Sequence, residues 1–228
     1  MRRIMALLLT LAMVLSLAAC STTGSSTTQA TTETEATAPE SAATEAPTEA
    51  APKAGGTITY RIQGEPTTLQ AWSTRNSIDT VILNITNETL LRYDNNGDPQ
   101  PFLVDSITPD KEALTFTLKV KQGIKFHDGS DLTAEVVAWN LNYYKENGVL
   151  TGSFYGSFVN AEVTGDDTVV IHMSAWDSLF PSALARTCYI TSKVAFDTFG
   201  ADYLAANPVG TGPFMFASWD HDEAVHLV

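Results

Sequence analysis

Basic residues are scarce in this chain. Its 13 lysines and arginines face 26 aspartates and glutamates, which leaves a net charge of −13. Phosphate backbones are held by clustered Lys and Arg, so nucleic acid is excluded as a partner. Acidity of this kind serves solubility. Cysteine is almost missing too, with only Cys20 and Cys188 present. The motifs of hydrolysis and metal chemistry are incomplete. Gly152-Ser153-Phe154-Tyr155-Gly156 has the glycines of a nucleophile elbow but places Phe where Ser must stand. His221 and His226 are five residues apart. That spacing puts them on opposite faces of a strand, or about 140° apart on a helix, and neither suits one metal ion. Gly210-Thr211-Gly212 lacks the third glycine and the helix of a dinucleotide fingerprint. These gaps point to a binding protein rather than an enzyme, with no catalytic residue, cofactor or metal site expected.

The N-terminus has a different character from the rest. Residues 1–20, MRRIMALLLTLAMVLSLAAC, run from two arginines through an apolar stretch to small residues before Cys20. That order is a secretory signal, and its apolar run is short for a membrane span. Leu17-Ala18-Ala19-Cys20 resembles a bacterial lipobox, in which the cysteine takes lipid and becomes the mature N-terminus. Cys20 is therefore expected to anchor the protein to the outer face of the cytoplasmic membrane, each buried methylene contributing about 0.8 kcal/mol. Cys188 then has no partner, and no disulfide is expected. Residues 21–54 are Ser, Thr, Ala, Glu and Pro without a large apolar side chain. They cannot bury enough surface to offset their ordering entropy, and read as a disordered tether.

Folded structure is expected from Gly55 onward, with strands and helices mixed in no regular βαβ rhythm. Residues 57–62 alternate, with Ile58, Tyr60 and Ile62 on one face, as a strand does. Residues 79–91 carry Val81, Ile85 and Leu90 at roughly helical spacing. Leu114, Phe116, Leu118 and Val120 alternate with Thr and Lys, and Val169, Ile171 and Met173 repeat the pattern. Residues 212–219 read as a further strand, and residues 133–147 and 192–206 as helices. Residues 94–99, DNNGDP, are a turn cluster.

The stretch GIKFHDGSDLTAEVVAWNL, residues 123–141, invites a metal or catalytic reading through His127 and Asp128. A structural reading accounts for it better. Gly129 supplies the positive φ of a turn, Thr133 caps a helix, and Glu135 sits in the first turn where the helix dipole favours an anion. His127 has no second ligand at metal spacing, so its loss is expected to cost little.

These blocks together resemble a known family. In order they are the lipobox, the tether, GGTITYRI, NETLLRYDNNGDPQPFLVDS, LTFTLKVKQGIKFHDGSDLTAEVVAWNL, DDTVVIHM and NPVGTGPFMFASW. The resemblance is to extracellular solute-binding protein family 5, the peptide-, nickel- and oligosaccharide-binding components of ABC importers. The chain departs from the family in Pro109-Asp110-Lys111-Glu112-Ala113, where an "SDDG" is usual, and in Leu69-Gln70-Ala71-Trp72, where many members have "TLDP". Members also continue well past VGTGPF, so the chain is expected to be truncated. The resemblance implies an α/β (mixed α+β) fold of the type II periplasmic-binding-protein kind, with the first lobe only. Residues 55–228 would form that N-terminal lobe, and about 88–165 its extra subdomain. It implies a peptide or similar small solute, capture without catalysis, and delivery to ABC importer permease subunits. A nickel-binding member of the same family is one alternative.

The resemblance also implies where a ligand would touch. The segment Thr74, Arg75, Asn76, Ser77 and Ile78 falls on the cleft edge, where peptide binders pair backbone with an extended ligand. Two other candidates come from residue chemistry. Phe154 and Tyr155 lie between glycines and could stack on a ligand, or could be core. Arg186 could hold a ligand carboxylate, or make a surface ion pair. Outside the family, the remaining alternative is a surface hydrolase using Cys188, which would need a low-pKa thiolate beside a histidine.

Overall fold

The computed structural model describes residues 55–73, 76–149 and 155–228. In chain order its elements are α1 (Ser77–Thr86), β1 (Glu88–Thr89), β2 (Leu91–Tyr93), β3 (Pro99–Pro101), β4 (Val104–Asp110), β5 (Thr115–Val120), α2 (Ala134–Asn147), β6 (Phe158–Gly165), β7 (Thr168–Met173), α3 (Phe180–Arg186), β8 (Tyr189–Ile190), α4 (Lys193–Leu204), β9 (Phe216–Asp220) and β10 (Ala224–Leu227).

The core is built on an antiparallel sheet of order β4-β5-β7-β6. Alternation decides its inner face. Phe116, Leu118 and Val120 of β5 are buried, as are Val169, Ile171 and Met173 of β7. Phe116 lies opposite Ile171 and Leu118 opposite Val169, so both apolar rows share one face. Helix α2 contributes Val137, Leu141 and Tyr144 at helical spacing to the same core. Thr133 caps α2 by accepting from the Val136 amide. Gly129 has φ 84°, the conformation the turn requires. The DNNGDP turn forms as expected: Asp94 accepts from the amides of Asn96 and Asp98 between β2 and β3.

Three expectations change. Residues 57–62 form no strand: they pair with no described strand, and Ile58 and Tyr60 are 91% and 73% exposed. Alternation states which residues would share a face, but a strand also needs a neighbour. The helix expected over 79–91 starts earlier and stops at Thr86. Its buried apolar residues are Ile82 and Leu83 rather than Val81 and Ile85. The strand expected over 212–219 begins only at Phe216, because the residues before it are used against α1. β7 pairs with both β5 and β6, so residues 168–173 belong to the same sheet.

The end of α1 explains two of these changes. The amides of Gly212 and Phe214 donate to the Thr86 and Ile85 carbonyls, filling acceptors that a helix C-terminus leaves open. Asn87 turns to an extended conformation, and Glu88–Thr89 pair with Tyr189–Ile190. A Cβ on Gly212 would stand 2.3 Å from the Ile85 carbonyl oxygen, and one on Gly210 would stand 2.3 Å from that of Thr86. Backbone lies directly on backbone here.

The 127–130 turn locks onto the same junction. The His127 amide donates to the Gly210 carbonyl, and its Nε2–H donates to the Gly212 carbonyl at 2.8 Å. His127 therefore ties two segments together, which corrects the expectation that its loss costs little. Gly212→Ala should destabilise the fold by about 3 kcal/mol through overpacking, and His127→Ala by about 1 kcal/mol through the lost bond. Urea unfolding at neutral pH measures both; equal midpoints for wild type and Gly212→Ala would contradict the close approach.

Candidate functional site

The segment that leads into α1 is anchored on both sides. The Leu69 amide donates to the Ala205 carbonyl, and the Gln70 side-chain amide donates to the Ala201 carbonyl. Ala71 and Trp72 are buried, and the Trp72 ring meets Tyr143 and Phe196 edge-on. The Val149 amide donates to the Trp72 carbonyl. On the far side, Asn76 caps α1 by accepting from the Ile78 and Asp79 amides at 2.9 Å. Asp79 is fully buried, and its carboxylate accepts from the Thr67 amide at 2.7 Å and from the Thr67 hydroxyl. A buried carboxylate must be hydrogen-bonded, and Thr67 meets that need across the turn. The Asn76 side-chain amide also reaches the Thr67 hydroxyl. Residues 67–73 and 76–79 are thus each braced, and Thr67 links the two stretches. Ser77 is exposed, and Asn76 and Ile78 are half-buried.

The other candidates fall elsewhere. Tyr155 is 1% exposed, stacked with Tyr144 and edge-on to Phe158 and Phe180. Its ring is core, and it has no face left for a ligand. Arg186 is exposed at the end of α3, with its charge felt at Tyr189. The Tyr189 hydroxyl donates to the Asn84 side chain, which places this region toward the C-terminal half of α1. Asn76 and its neighbours stand at the other end, so the structure does not gather these candidates into one pocket. Cys20, Thr74, Arg75 and Phe154 lie outside the described residues, as do the expected signal and tether.

Cys188 is fully buried. Burial pushes its thiol up to about 12, against a smaller opposing effect from the Tyr155 phenol. A nucleophile needs a thiolate near neutral pH, so this environment removes the Cys188 hydrolase reading. Burial likewise raises Tyr144 well above its ordinary value.

Sequence reasoning missed a polar joint just past the C-terminal end of α1. Asn140, on α2, donates to the Thr191 carbonyl and accepts from the Thr191 amide. Asn87 donates to the Ile190 carbonyl and the Thr191 hydroxyl. The Ser192 hydroxyl donates to Asp128 and accepts from the Ala195 amide, capping α4. Burial raises the Asp128 carboxyl, but bonds from Ser130 and Ser192 outweigh it and hold the group low. Asn140 at a core position of an apolar helix was the readable signal.

Residues 98–228 match the family model described as bacterial extracellular solute-binding proteins, family 5 Middle. The chain belongs to this family. Family 5 relatives include the oligopeptide-binding protein AppA of Bacillus subtilis, 27% identical over 184 residues. That alignment covers 77% of this chain and 34% of AppA. The glutathione-binding protein GsiB of Salmonella typhi is 27% identical over 177 residues, covering 76% of this chain and 34% of GsiB. The chain thus spans about a third of the length of the family 5 relatives it matches. The AppA structure in complex with a nonapeptide superposes with a TM-score of 0.63 at 28% identity, over 72% of this chain and 34% of that one. The mixed α/β architecture is that of a part of a family 5 binding protein, and family 5 proteins are extracellular.

The buried thiol gives a direct check. In a Cys20→Ala chain, Cys188 should resist iodoacetamide at neutral pH and react once urea unfolds the protein. The raised thiol stabilises the fold fully below the ordinary thiol range, and that stability is lost as pH rises toward about 12. Rapid labelling of the folded chain would show an accessible thiol.

Proposed function

We propose that the chain carries the solute-binding lobe of an ABC importer's binding protein. It captures a peptide or similar small solute and hands it to the permease subunits without chemistry. The observation that carries this reading is the family 5 match, supported by the bracing of residues 67–73 and 76–79. Asn76, Ser77 and Ile78, which the resemblance implies as ligand contacts, stand at the N-terminal end of α1, with Ser77 exposed. AppA and GsiB, by their names an oligopeptide binder and a glutathione binder, support a peptide-like solute. An extended peptide would add its backbone to this segment, with side-chain selection supplied by the walls around it. Arg186 remains a candidate for a solute carboxylate.

The test uses amide shifts in NMR. Titration with a mixed oligopeptide pool should move resonances of residues 73–78 and leave β5 and β7 unmoved. Contacts from residues 55–228 alone predict weak binding, on the order of millimolar. No shift at several millimolar peptide overturns the peptide reading.

We also propose that Cys20 carries lipid and holds the exported protein on the outer face of the membrane. An acylated cysteine partitions into a bilayer through its buried methylenes. Cys20→Ala should abolish incorporation of labelled palmitate and release the protein or leave the precursor uncleaved. Equal labelling of wild type and mutant would disprove the anchor.

A further inference from the structure

The β9–β10 hairpin is held in an unusual way. It is a two-stranded sheet that pairs with no other described strand. None of its strand residues is fully buried. Two-stranded hairpins are marginal in water unless something else fixes them. Among the described residues, the hydrogen bonds of 215–228 to the rest of the chain all end on one side chain, Glu65. The Trp219 indole N–H and the Asp222 amide each donate to Glu65 Oε1 at 3.1 Å, and His221 Nδ1 donates to the same oxygen at 2.7 Å. Asp222 has φ 63°, a strained left-handed conformation for a non-glycine residue, and it is this residue whose amide faces the carboxylate. The Trp219 and His221 rings lie 4.4 Å apart, which fixes both donors side by side.

We propose that the Glu65 carboxylate is an acid-released latch fastening the β9–β10 hairpin to the segment that precedes α1. Three donors of different kinds converge on one oxygen, which an adventitious surface ion pair does not do. Protonation removes the charge that strengthens all three bonds at once. The His221 and Asp222 bonds hold the carboxyl below its ordinary value. A carboxyl lowered by folding stabilises above its unfolded range, and that stability is lost as pH falls through the folded value. The other titratable groups on these elements are Asp220, Asp222, Glu223, His221 and His226 on the hairpin, Tyr60 and Arg61 on Glu65's own segment, and Asp79 on α1. Asp220 is engaged by His226 within the hairpin, and Asp79 by Thr67. His221 keeps its Nδ1–H donor both in the neutral Nδ1–H tautomer and in the imidazolium, so its bond to Glu65 needs no change at the ring. Release is therefore assigned to the carboxylate step.

The Trp219 indole N–H resonance, identified by its absence in Trp219→Phe, reports the latch directly. In the wild-type chain it should shift in one step in the acid carboxylate range. In Glu65→Gln that step should disappear, and amides of 216–227 should exchange about tenfold faster at neutral pH. Amides of β5 and β7 should keep their protection in the variant, which separates release of the hairpin from general unfolding. An unchanged acid step in Glu65→Gln, or unchanged hairpin exchange, overturns the proposal. A single step near the imidazole range instead would assign the switch to His221 and overturn it equally.

Discussion

Everything in this lobe depends on how closely residues 210–212 can approach the end of α1. At Gly210 and Gly212 there is no room for a side chain, because helix backbone occupies the space. That contact lets amides of 212 and 214 complete α1's last carbonyls, and lets His127 bond both glycine carbonyls from the other side. Three segments far apart in sequence thus share one set of backbone hydrogen bonds. The N-terminal end of α1, where the candidate ligand segment stands, is aimed by what happens at the opposite end.

A second layer of polar atoms carries the same logic into the core. Asn140, Asn87 and Thr191 satisfy one another and the backbone around β8. Ser192 joins the 127–130 turn to α4 through Asp128. Such a joint is favourable only when every member is bonded, so it specifies one arrangement of helices rather than several. The apolar cluster around Phe116, Phe158, Phe180 and Tyr155 gives bulk stability, while the polar joint decides orientation.

Much of this was legible beforehand. β5 and β7 announce themselves by alternation, and α2 by its cap and its apolar row. The turn at Gly129 follows from the residue itself. What alternation alone could not reveal was partnership. Residues 57–62 have a strand's pattern but no described neighbour. Residues 212–215 have a strand's composition but serve a helix end. β4 was missed because it is polar and contains Pro109, which an edge position tolerates. Tyr155 was readable as loop or as core, and only the rings of Tyr144 and Phe180 decide between them. At the candidate site, Asn76's cap is local, two and three residues ahead, but the Asp79–Thr67 bond joins residues twelve apart, beyond any local pattern.

The register shifts at the margins of the sheet have a consequence for how a guest could be held. β4 breaks step between Val104 and Ser106, and β6 breaks step twice, at Phe158/Asn160 and Val163/Gly165. A bulged margin twists away from the flat row of donors and acceptors that an incoming chain would copy. Both outer strands of the sheet are therefore poor templates, and Pro109 removes one donor more. If the proposed peptide reading holds, such margins keep an extended chain from settling on the sheet. The largest sheet thus stops at both margins, and its stability rests on its buried face rather than on anything its outer strands could recruit.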